Sequence, residues 1–188
     1  MPLPDATTAD LHALCIARAP LYRAFLAELP PGAHLLDAGC GEGQDARHFQ
    51  LEDHVVSAIE RDLAAARRAS RHGALPVRVG DILTLTTVVP FDGIWACDLL
   101  PDPGREPARL AAMLARLGAL LKVGGLLYCN LPASLGLDEG PPPFAAHGLC
   151  ETRRWLAPLP RLASPTLGGE RPSPDAPWLH LLLRKTAP

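Results

Sequence analysis

Short apolar runs alternate along the chain with stretches in which apolar residues recur at helical spacing. The apolar runs predict five buried strands, which are His34–Ala38, Val55–Glu60, Leu75–Val79, Phe91–Cys97 and Leu126–Leu131. Helical spacing and start signals predict intervening helices that begin at Gln44, Leu63 and Pro107. Alternating apolar strands and helices are typical of a mostly parallel sheet with helices on both faces. The pattern therefore predicts an α/β, doubly wound fold.

Two helices are predicted before the first strand. Thr8 is placed to cap the first helix, and Pro20 to open the second, which ends at Pro30-Pro31-Gly32. The second helix is expected to pack on the sheet through the apolar positions of Tyr22–Leu29. Two interpretations of the first helix, Thr8–Arg18, stay open: it packs on the sheet, or it covers the functional site as a lid.

The last third of the chain changes character. It is predicted to contain a Gly- and Pro-rich loop, a short helix, a strand, a turn-rich connection and a final strand, which are Ser134–Pro143, Leu149–Leu156, Leu159–Leu167, Gly168–Pro177 and Trp178–Leu183. Two strands joined by a non-helical connection favour an antiparallel hairpin at the edge of the sheet.

The length and composition suit one domain. The chain has 188 residues, of which 48% are hydrophobic, enough for a substantial core. We expect N-terminal helices in residues 1–30, with Met1–Asp5 frayed, then a ligand-binding core in residues 31–131. Residues 132–188 are expected to supply a loop, a short helix and a C-terminal hairpin on the substrate side.

Charge and cysteine content exclude several classes of function. The formal net charge is -2, so no strong positive field is available to hold nucleic acid. The five cysteines include no CxxC pair, which argues against a disulfide framework and a zinc site and favours a reducing, cytoplasmic location. No signal peptide and no apolar run of membrane-spanning length is apparent. The oligomeric state, monomer or dimer, is not determined by the sequence.

The stretch Asp37-Ala38-Gly39-Cys40-Gly41-Glu42-Gly43 joins the first strand to the next helix through a glycine-rich turn. Such a unit lets the backbone N–H groups approach a ligand closely at a helix N-terminus. In open α/β sheets the ligand binds beyond the carboxyl ends of the strands. Gly39, Glu60, Asp81 and Cys97 all fall at predicted carboxyl ends, so we expect one binding site along that edge.

The spacing of the glycines bears on the ligand. A nicotinamide-binding turn has the pattern G-x-G-x-x-G, whereas here Gly39, Gly41 and Gly43 alternate. The carboxylate of Asp37, two positions before the first glycine, would repel a pyrophosphate. The turn is better suited to a ligand that carries an ammonium group and no phosphate.

These segments resemble those of the class I S-adenosylmethionine-dependent methyltransferases. Asp37–Gly43 is similar to their motif I, and Glu60 to the acid that follows their second strand. The matching segments further along the chain are Gly80-Asp81-Ile82, Phe91–Cys97 and Leu121–Leu127. The resemblance covers about Pro31–Leu131, with a weaker likeness at Trp178–Leu182, and within the family it is most similar to the small bacterial tellurite-resistance-type methyltransferases.

The resemblance implies a Rossmann-like, seven-stranded sheet with an antiparallel last strand. It implies S-adenosylmethionine as cofactor and S-adenosylhomocysteine as product. Glu60 would accept hydrogen bonds from both ribose hydroxyls, Asp81 would accept one from the adenine amino group, and the N–H of Ile82 would donate one to the adenine ring. The backbone at Cys97 and Asp98 would lie beside the methionine portion. The implied cofactor site contains Asp37, Ala38, Gly39, Cys40, Gly41, Glu60, Arg61, Asp81, Ile82 and Cys97.

The chain departs from the family pattern after the fourth strand, where relatives often have a small residue and then a histidine. Asp98, just past this strand, is the first candidate for a catalytic base; its alternative role is a turn acid. His147 is placed in a loop able to cover the pocket, whereas His180 is expected to be structural. Asp102 is expected to be a turn residue.

Methyl transfer to a small-molecule acceptor by in-line displacement is the favoured function. In that reaction the cofactor carries the activated group, and the protein supplies alignment and a dry pocket. The alternatives are a methyltransferase that acts on a protein or RNA, and a non-catalytic cofactor-binding or scaffold protein. An NAD-dependent oxidoreductase is a more distant alternative.

Overall fold

A computed structural model describes residues 7–73, 75–133, 144–162 and 177–186. The expectations for Met1–Asp5, for the loop Ser134–Pro143 and for residues 163–176 lie outside these ranges. The described helices are α1 Thr8–Leu26, α2 Gln44–Leu51, α3 Leu63–Gly73 and α4 Pro107–Leu120. The described strands are β1 His34–Ala38, β2 Val55–Glu60, β3 Val77–Val79, β4 Phe91–Ala96, β5 Leu121–Pro132, β6 Leu149–Pro158 and β7 Pro177–Lys185.

Within the described residues, seven strands form one sheet in the order β3-β2-β1-β4-β5-β7-β6. The first five strands in this order pair in parallel. Strand β7 is antiparallel to both β5 and β6. This architecture confirms the predicted mostly parallel, doubly wound sheet with an antiparallel last strand. Because the strand order reverses between β1 and β4, a crevice opens between their carboxyl ends.

The core lies on both faces of the sheet. Alternate residues of a strand point to opposite faces, so Leu36 and Ile94 lie in the cluster that contains the apolar face of α4. Their neighbours Leu35 and Trp95 lie in the other cluster, which contains Tyr22 and other buried residues of α1. The central strands are therefore buried on both sides, which explains their continuous apolar runs. None of the described helices has the length and apolar character needed to cross a membrane.

The prediction of two separate N-terminal helices was wrong, because α1 is continuous through Pro20. A proline inside a helix removes a backbone hydrogen bond and costs about 3 kcal/mol. Burial on both sides of it offsets that cost, because Leu14 precedes the proline and Tyr22 and Phe25 follow it on the same buried face. The N-cap is Thr7, not Thr8, in a capping box with Asp10.

The prediction for the last third also needs correction. Residues 149–156 were predicted to be helical but belong to β6, and Leu159–Leu162 lie outside any strand. The antiparallel hairpin at the sheet edge exists, but β6 supplies it, pairing with β7 along its whole length. Most residues of this edge strand are exposed, so its sequence contains no continuous apolar run.

Two smaller boundaries differ. Strand β3 is shorter than expected. Strand β5 begins at Leu121, before the predicted Leu126, and its first residues are irregular, with a register shift against β4 and a positive φ of 82° at Gly124. Glycine reaches this left-handed conformation without steric cost, so the strand continues through the irregularity.

We predict that Gly43→Ala destabilises the protein more than Gly124→Ala. Both glycines have a left-handed φ, near 81° and 82°, which costs about 1–2 kcal/mol for alanine. At Gly43 a Cβ would also lie 2.9 Å from Ala69 Cβ in α3, whereas at Gly124 it would meet nothing within 4 Å. Overpacking adds roughly 1–3 kcal/mol. Urea unfolding of both variants measures the difference, and equal losses would contradict the packing argument.

Candidate functional site

Two cavities adjoin at the carboxyl edge of the sheet. The β2–β3 cavity, of about 240 Å³, is lined by Gly39, Ile59, Glu60, Arg61, Gly80, Asp81, Ile82, Asp98, Leu99, Arg109 and Met113. The α1 cavity, of about 250 Å³, is lined by Leu14, Arg18, Gly39, Cys40, Gly41, Glu42, Gln44, Asp45, Cys97, Asp98, Arg161 and Leu162. Gly39 and Asp98 belong to both. The crevice expected from the strand order is therefore present, with these two residues at its middle.

The structure brings most of the predicted site residues to this crevice. Glu60, Arg61, Asp81 and Ile82 line the β2–β3 cavity, and the residues after Gly39 line the α1 cavity, namely Cys40 and Gly41. Cys97 lines the α1 cavity and Asp98 lines both. Asp37 and Ala38 are different: both are buried at the end of β1 and line neither cavity.

The glycine turn folds its own amide groups inward. The N–H groups of Gly39 and Cys40 both donate to the Ile59 carbonyl, at 2.9 and 3.0 Å. The N–H of Gly41 donates to Glu60 Oε2 at 2.9 Å. These three donors are engaged by β2 and its last residue, so they form no cluster aimed at a phosphate. This geometry differs from a phosphate-binding turn, where the N–H groups point at the ligand.

Only glycine fits at position 39 of the turn. Its φ is near 74°, and a Cβ there would lie 2.8 Å from Leu99 Cδ1. Leu99 follows β4 and covers the turn from the other side of the crevice. The backbone of the turn thus forms a floor that lies close to whatever occupies the crevice.

The carboxylate of Glu60 is held from two directions. Its Oε2 accepts the Gly41 N–H, and its Oε1 accepts the Asp62 N–H at 2.8 Å. Each carboxylate oxygen has a further lone pair, so Glu60 can accept hydrogen bonds from a ligand in the β2–β3 cavity without losing these contacts. Asp62 in turn caps α3 by accepting the Ala65 N–H at 2.7 Å.

Asp81 has a structural contact and a cationic neighbour. Its Oδ1 accepts the Leu83 N–H at 2.9 Å and caps the short 3₁₀ helix Ile82–Thr84. Its Oδ2 lies 4.0 Å from Nη2 of Arg109, at the beginning of α4. Sequence reasoning missed Arg109, which also lines the β2–β3 cavity.

Asp37 is a buried acid with one unsatisfied oxygen. It accepts the Ala46 backbone N–H, while its Oδ2 has no hydrogen-bond partner among the described residues. Burial, followed by the nearby charge of Asp45, raises the pKa of Asp37 well above its ordinary value. In the same part of the chain, at the start of α2, Gln44 Oε1 is also buried and unpartnered. Two hydrogen-bond acceptors therefore flank the glycine turn without a donor from the described residues.

A second buried acid, Asp45, links three elements beside the α1 cavity. Its carboxylate accepts hydrogen bonds from Arg18 Nη1 at 2.5 Å, from the Tyr22 hydroxyl and from Trp95 Nε1 at 2.9 Å. Burial and the neighbouring Asp45 raise the pKa of Tyr22, which therefore stays protonated and donates. Sequence reasoning missed this network, although an arginine on the apolar face of α1 was a visible signal. Since Arg18 lines the cavity while Tyr22 packs in the core, α1 serves both the site and the sheet.

Asp98 has a left-handed backbone and a cationic partner. Its φ is 57°, and its N–H donates to Asn130 Oδ1 at 2.8 Å, which holds the strand end in this conformation. Its Oδ1 lies 2.5 Å from Nη2 of Arg161. The Arg161 guanidinium carbon stacks 4.0 Å from the centre of the Trp178 ring. Neither Arg161 nor Asn130 was identified from the sequence.

The other candidate residues lie elsewhere. His147 lies in a short 3₁₀ helix whose backbone packs against Gly118 of α4, and it lines neither cavity. His180 is buried between the Tyr128 hydroxyl and the Ala157 carbonyl, and burial lowers its pKa, which confirms a structural role. Asp102 accepts the Gly104 N–H at 2.7 Å, as expected of a turn residue.

Solved structures with the same fold include several methyltransferases. The N-methyltransferase NodS of Bradyrhizobium japonicum matches with a TM-score of 0.68 at 18% identity, over 92% of this chain and 96% of that one. A Burkholderia thailandensis 1,6-didemethyltoxoflavin-N1-methyltransferase, solved with 1,6-didemethyltoxoflavin and S-adenosylhomocysteine bound, matches with a TM-score of 0.68 at 19% identity, over 100% and 94% of the two chains.

A TehB-like S-adenosylmethionine-dependent methyltransferase of Corynebacterium glutamicum has a TM-score of 0.62 at 20% identity, over 96% of this chain and 100% of that one. No protein-family model matches the chain, and neither does any curated protein sequence. At such low identities the likeness establishes a shared fold, the Rossmann-like fold of class I methyltransferases.

We predict that the stability of the protein relative to its Asp37→Asn variant depends on pH. An acid whose pKa is raised on folding contributes its full stability below its unfolded pKa, about 3.9 for Asp. That contribution is lost as the pH rises towards the folded pKa, by up to about 1.4 kcal/mol per pH unit. The free energy of unfolding of Asp37→Asn should therefore exceed that of the wild type by a margin that grows from about pH 4 upwards.

Urea unfolding of the cofactor-free protein at several pH values measures this margin. Glu52→Gln, which removes a solvent-exposed carboxylate at the end of α2, is the matched control and should give a margin that changes little. A constant margin for Asp37→Asn would show that the Asp37 carboxyl ionises without hindrance in the folded protein.

Proposed function

We propose that this protein is an S-adenosylmethionine-dependent methyltransferase that acts on a small-molecule acceptor. The observation that carries the proposal is the crevice between β1 and β4, where Glu60 and Asp81 line one cavity and unpartnered acceptors flank the glycine turn. The shared fold of the methyltransferases described above supports it. The sequence resemblance to tellurite-resistance-type methyltransferases is accompanied by a shared fold with the TehB-like structure.

The residues present fit the cofactor. S-adenosylmethionine carries an ammonium group and no phosphate, and it supplies a methyl group activated by a sulfonium. The unpartnered Asp37 Oδ2 and Gln44 Oε1 suit an ammonium donor. The inward-folded amides of Gly39, Cys40 and Gly41 leave no cradle for the pyrophosphate of a dinucleotide. This combination favours the sulfonium cofactor over NAD.

Each side of the crevice has its own role in the proposed reaction. In the β2–β3 cavity Glu60 would accept the ribose hydroxyls, and Asp81 with the Ile82 N–H would bind the adenine. The floor formed by Ala38–Gly41, together with Arg61 and Cys97, would complete the cofactor site. The methionine portion of the cofactor would lie in the α1 cavity against the glycine turn, and the part of that cavity beside Arg161 would hold the acceptor in line with the methyl group, in a pocket that excludes water.

Asp98 is the proposed proton acceptor. It lies at the junction of the two cavities, and its strained backbone is fixed by Asn130. A hydroxyl or ammonium acceptor loses a proton when it is methylated, and a carboxylate within hydrogen-bond reach can take it. A thiolate acceptor would not need this step.

Calorimetric titration with S-adenosylmethionine, S-adenosylhomocysteine and NAD tests the proposed cofactor. Both sulfur ligands should bind, and NAD should not. Glu60→Ala should weaken binding by roughly 1.5–3 kcal/mol, the value of a charged hydrogen bond, whereas the control Glu52→Ala should not change it. Failure of both sulfur ligands to bind a folded, cofactor-free sample would refute the proposal. Binding without turnover of any acceptor would instead favour a non-catalytic cofactor-binding protein.

For Asp98→Asn we expect turnover to fall by about 10²-fold or more, the usual contribution of general acid–base catalysis, with S-adenosylmethionine affinity nearly unchanged. The substitution keeps the side-chain shape but removes the proton acceptor. Single-turnover methylation with an identified hydroxyl or amine acceptor measures the rate. A wild-type rate at every pH would exclude Asp98 as the base.

A further inference from the structure

The α1 cavity has a buried donor without a partner. Among the described residues that line it, Arg161 has a buried Nε that makes no hydrogen bond, and its side chain is only 18% exposed. A buried guanidinium N–H without an acceptor costs free energy, so a native protein that keeps one usually has an occupant for it. This atom lacks an acceptor, whereas the unpartnered oxygens beside the glycine turn lack a donor.

The other charged side chains that line the α1 cavity are each paired within the protein. Arg18 donates to Asp45 and, through Nε, to the Pro160 carbonyl at 3.0 Å. Glu42 forms a two-pronged pair with Arg68 of α3. Asp98 is the carboxylate bound to Arg161 itself, through Nη2. Among the described cations that line this cavity, Arg161 is therefore the one with a buried donor atom that has no partner.

The guanidinium of Arg161 is held in a fixed plane. Its carbon stacks 4.0 Å from the centre of the Trp178 ring on one face. Trp178 lies in β7 and is buried in the core cluster that also contains Tyr22. Asp98 fixes one edge of the plane at 2.5 Å. A guanidinium fixed in this way loses little further side-chain entropy when it binds a ligand.

We propose that the methyl acceptor carries a carboxylate, and that Arg161 binds it through Nε. This inference rests on the proposed methyltransferase function and names the class of its substrate. A planar carboxylate matches the fork of guanidinium N–H groups, and it can add to Nε while Asp98 keeps or shares Nη2. The acceptor is small, because the cavity of about 250 Å³ also borders the glycine turn, and Leu14 and Leu162 give it an apolar wall.

The same contact places the acceptor beside the proposed base. Asp98 and the anion would share one guanidinium, so an acceptor anchored at Arg161 would have its remaining atoms next to the Asp98 carboxylate and the middle of the crevice. Its nucleophilic atom would then be separated from its carboxylate by a short spacer. Mercaptoacetate and salicylate have this arrangement, and each has a neutral amide of nearly the same shape.

The test measures binding of these matched pairs to protein saturated with S-adenosylhomocysteine. Mercaptoacetate is compared with mercaptoacetamide, and salicylate with salicylamide, by calorimetry. In the wild type at least one acid should bind about tenfold or more tightly than its amide, the value of one charged hydrogen bond. Arg161→Gln should remove that preference while S-adenosylhomocysteine affinity is retained. Arg105→Gln, which alters an arginine that is 70% exposed, is the matched control and should keep the preference.

The inference is overturned if no acid binds better than its amide, or if the preference survives in Arg161→Gln. Tighter binding of inorganic phosphate or tellurite than of either acid would also overturn it, since Arg161 would then serve a free oxyanion. Saturation by S-adenosylhomocysteine is measured in the same samples, so failure of the acceptor class is distinguished from failure of the cofactor. Arg161→Lys, which keeps the charge but loses the fork, replaces Arg161→Gln if the latter no longer binds S-adenosylhomocysteine.

Discussion

The buried carboxylate of Asp45 joins the parts of the molecule that form the site. It lies at the start of α2 and receives Arg18 and Tyr22 from α1 and Trp95 from β4. A buried charge must be paired, and removal of one partner of such a pair costs about 3–5 kcal/mol. The position of α1 over the carboxyl edge of the sheet is therefore tied to the position of the glycine turn. The two walls of the α1 cavity are set by one interaction.

The polar atoms left unsatisfied around the crevice have opposite character at its two sides. Oxygens of Asp37 and Gln44 lack donors beside the turn, whereas Arg161 Nε lacks an acceptor across the α1 cavity. The first side favours a cation and the second an anion. The cationic methyl donor and the anionic acceptor of the proposed reaction would each reduce the desolvation cost of the protein groups they meet. They would also attract each other in a site of low dielectric constant.

The parts of the fold that the sequence predicted well are those that are buried on both faces. The bounds of β1 and β2 agree with the apolar runs, because covered parallel strands need continuous apolar sequence. Strand β6 was missed because one face is exposed, and its conformation is decided by pairing with β7. The helix break at Pro20 was wrong because tertiary burial on both sides outweighs one lost hydrogen bond.

The site could be predicted where local sequence determines it. The turn, Glu60 and Asp81 belong to short segments that follow strands, and all of them reach the crevice. Arg18 and Arg161 could not be assigned a partner in the same way. Their partners, Asp45 and Asp98, lie 27 and 63 residues away, and no spacing rule connects residues at such distances before the fold is known.

The two outer strands of the described sheet have a consequence for how copies of the chain meet one another. An unpaired strand edge offers N–H and C=O groups to a strand of another molecule, which leads to aggregation. At one side this edge is β3, with only three residues. At the other it is β6, where Arg153 and Arg154 are exposed and Pro158 stands at the end. Short length at one edge, and charge with a proline at the other, discourage the addition of a further strand to either side.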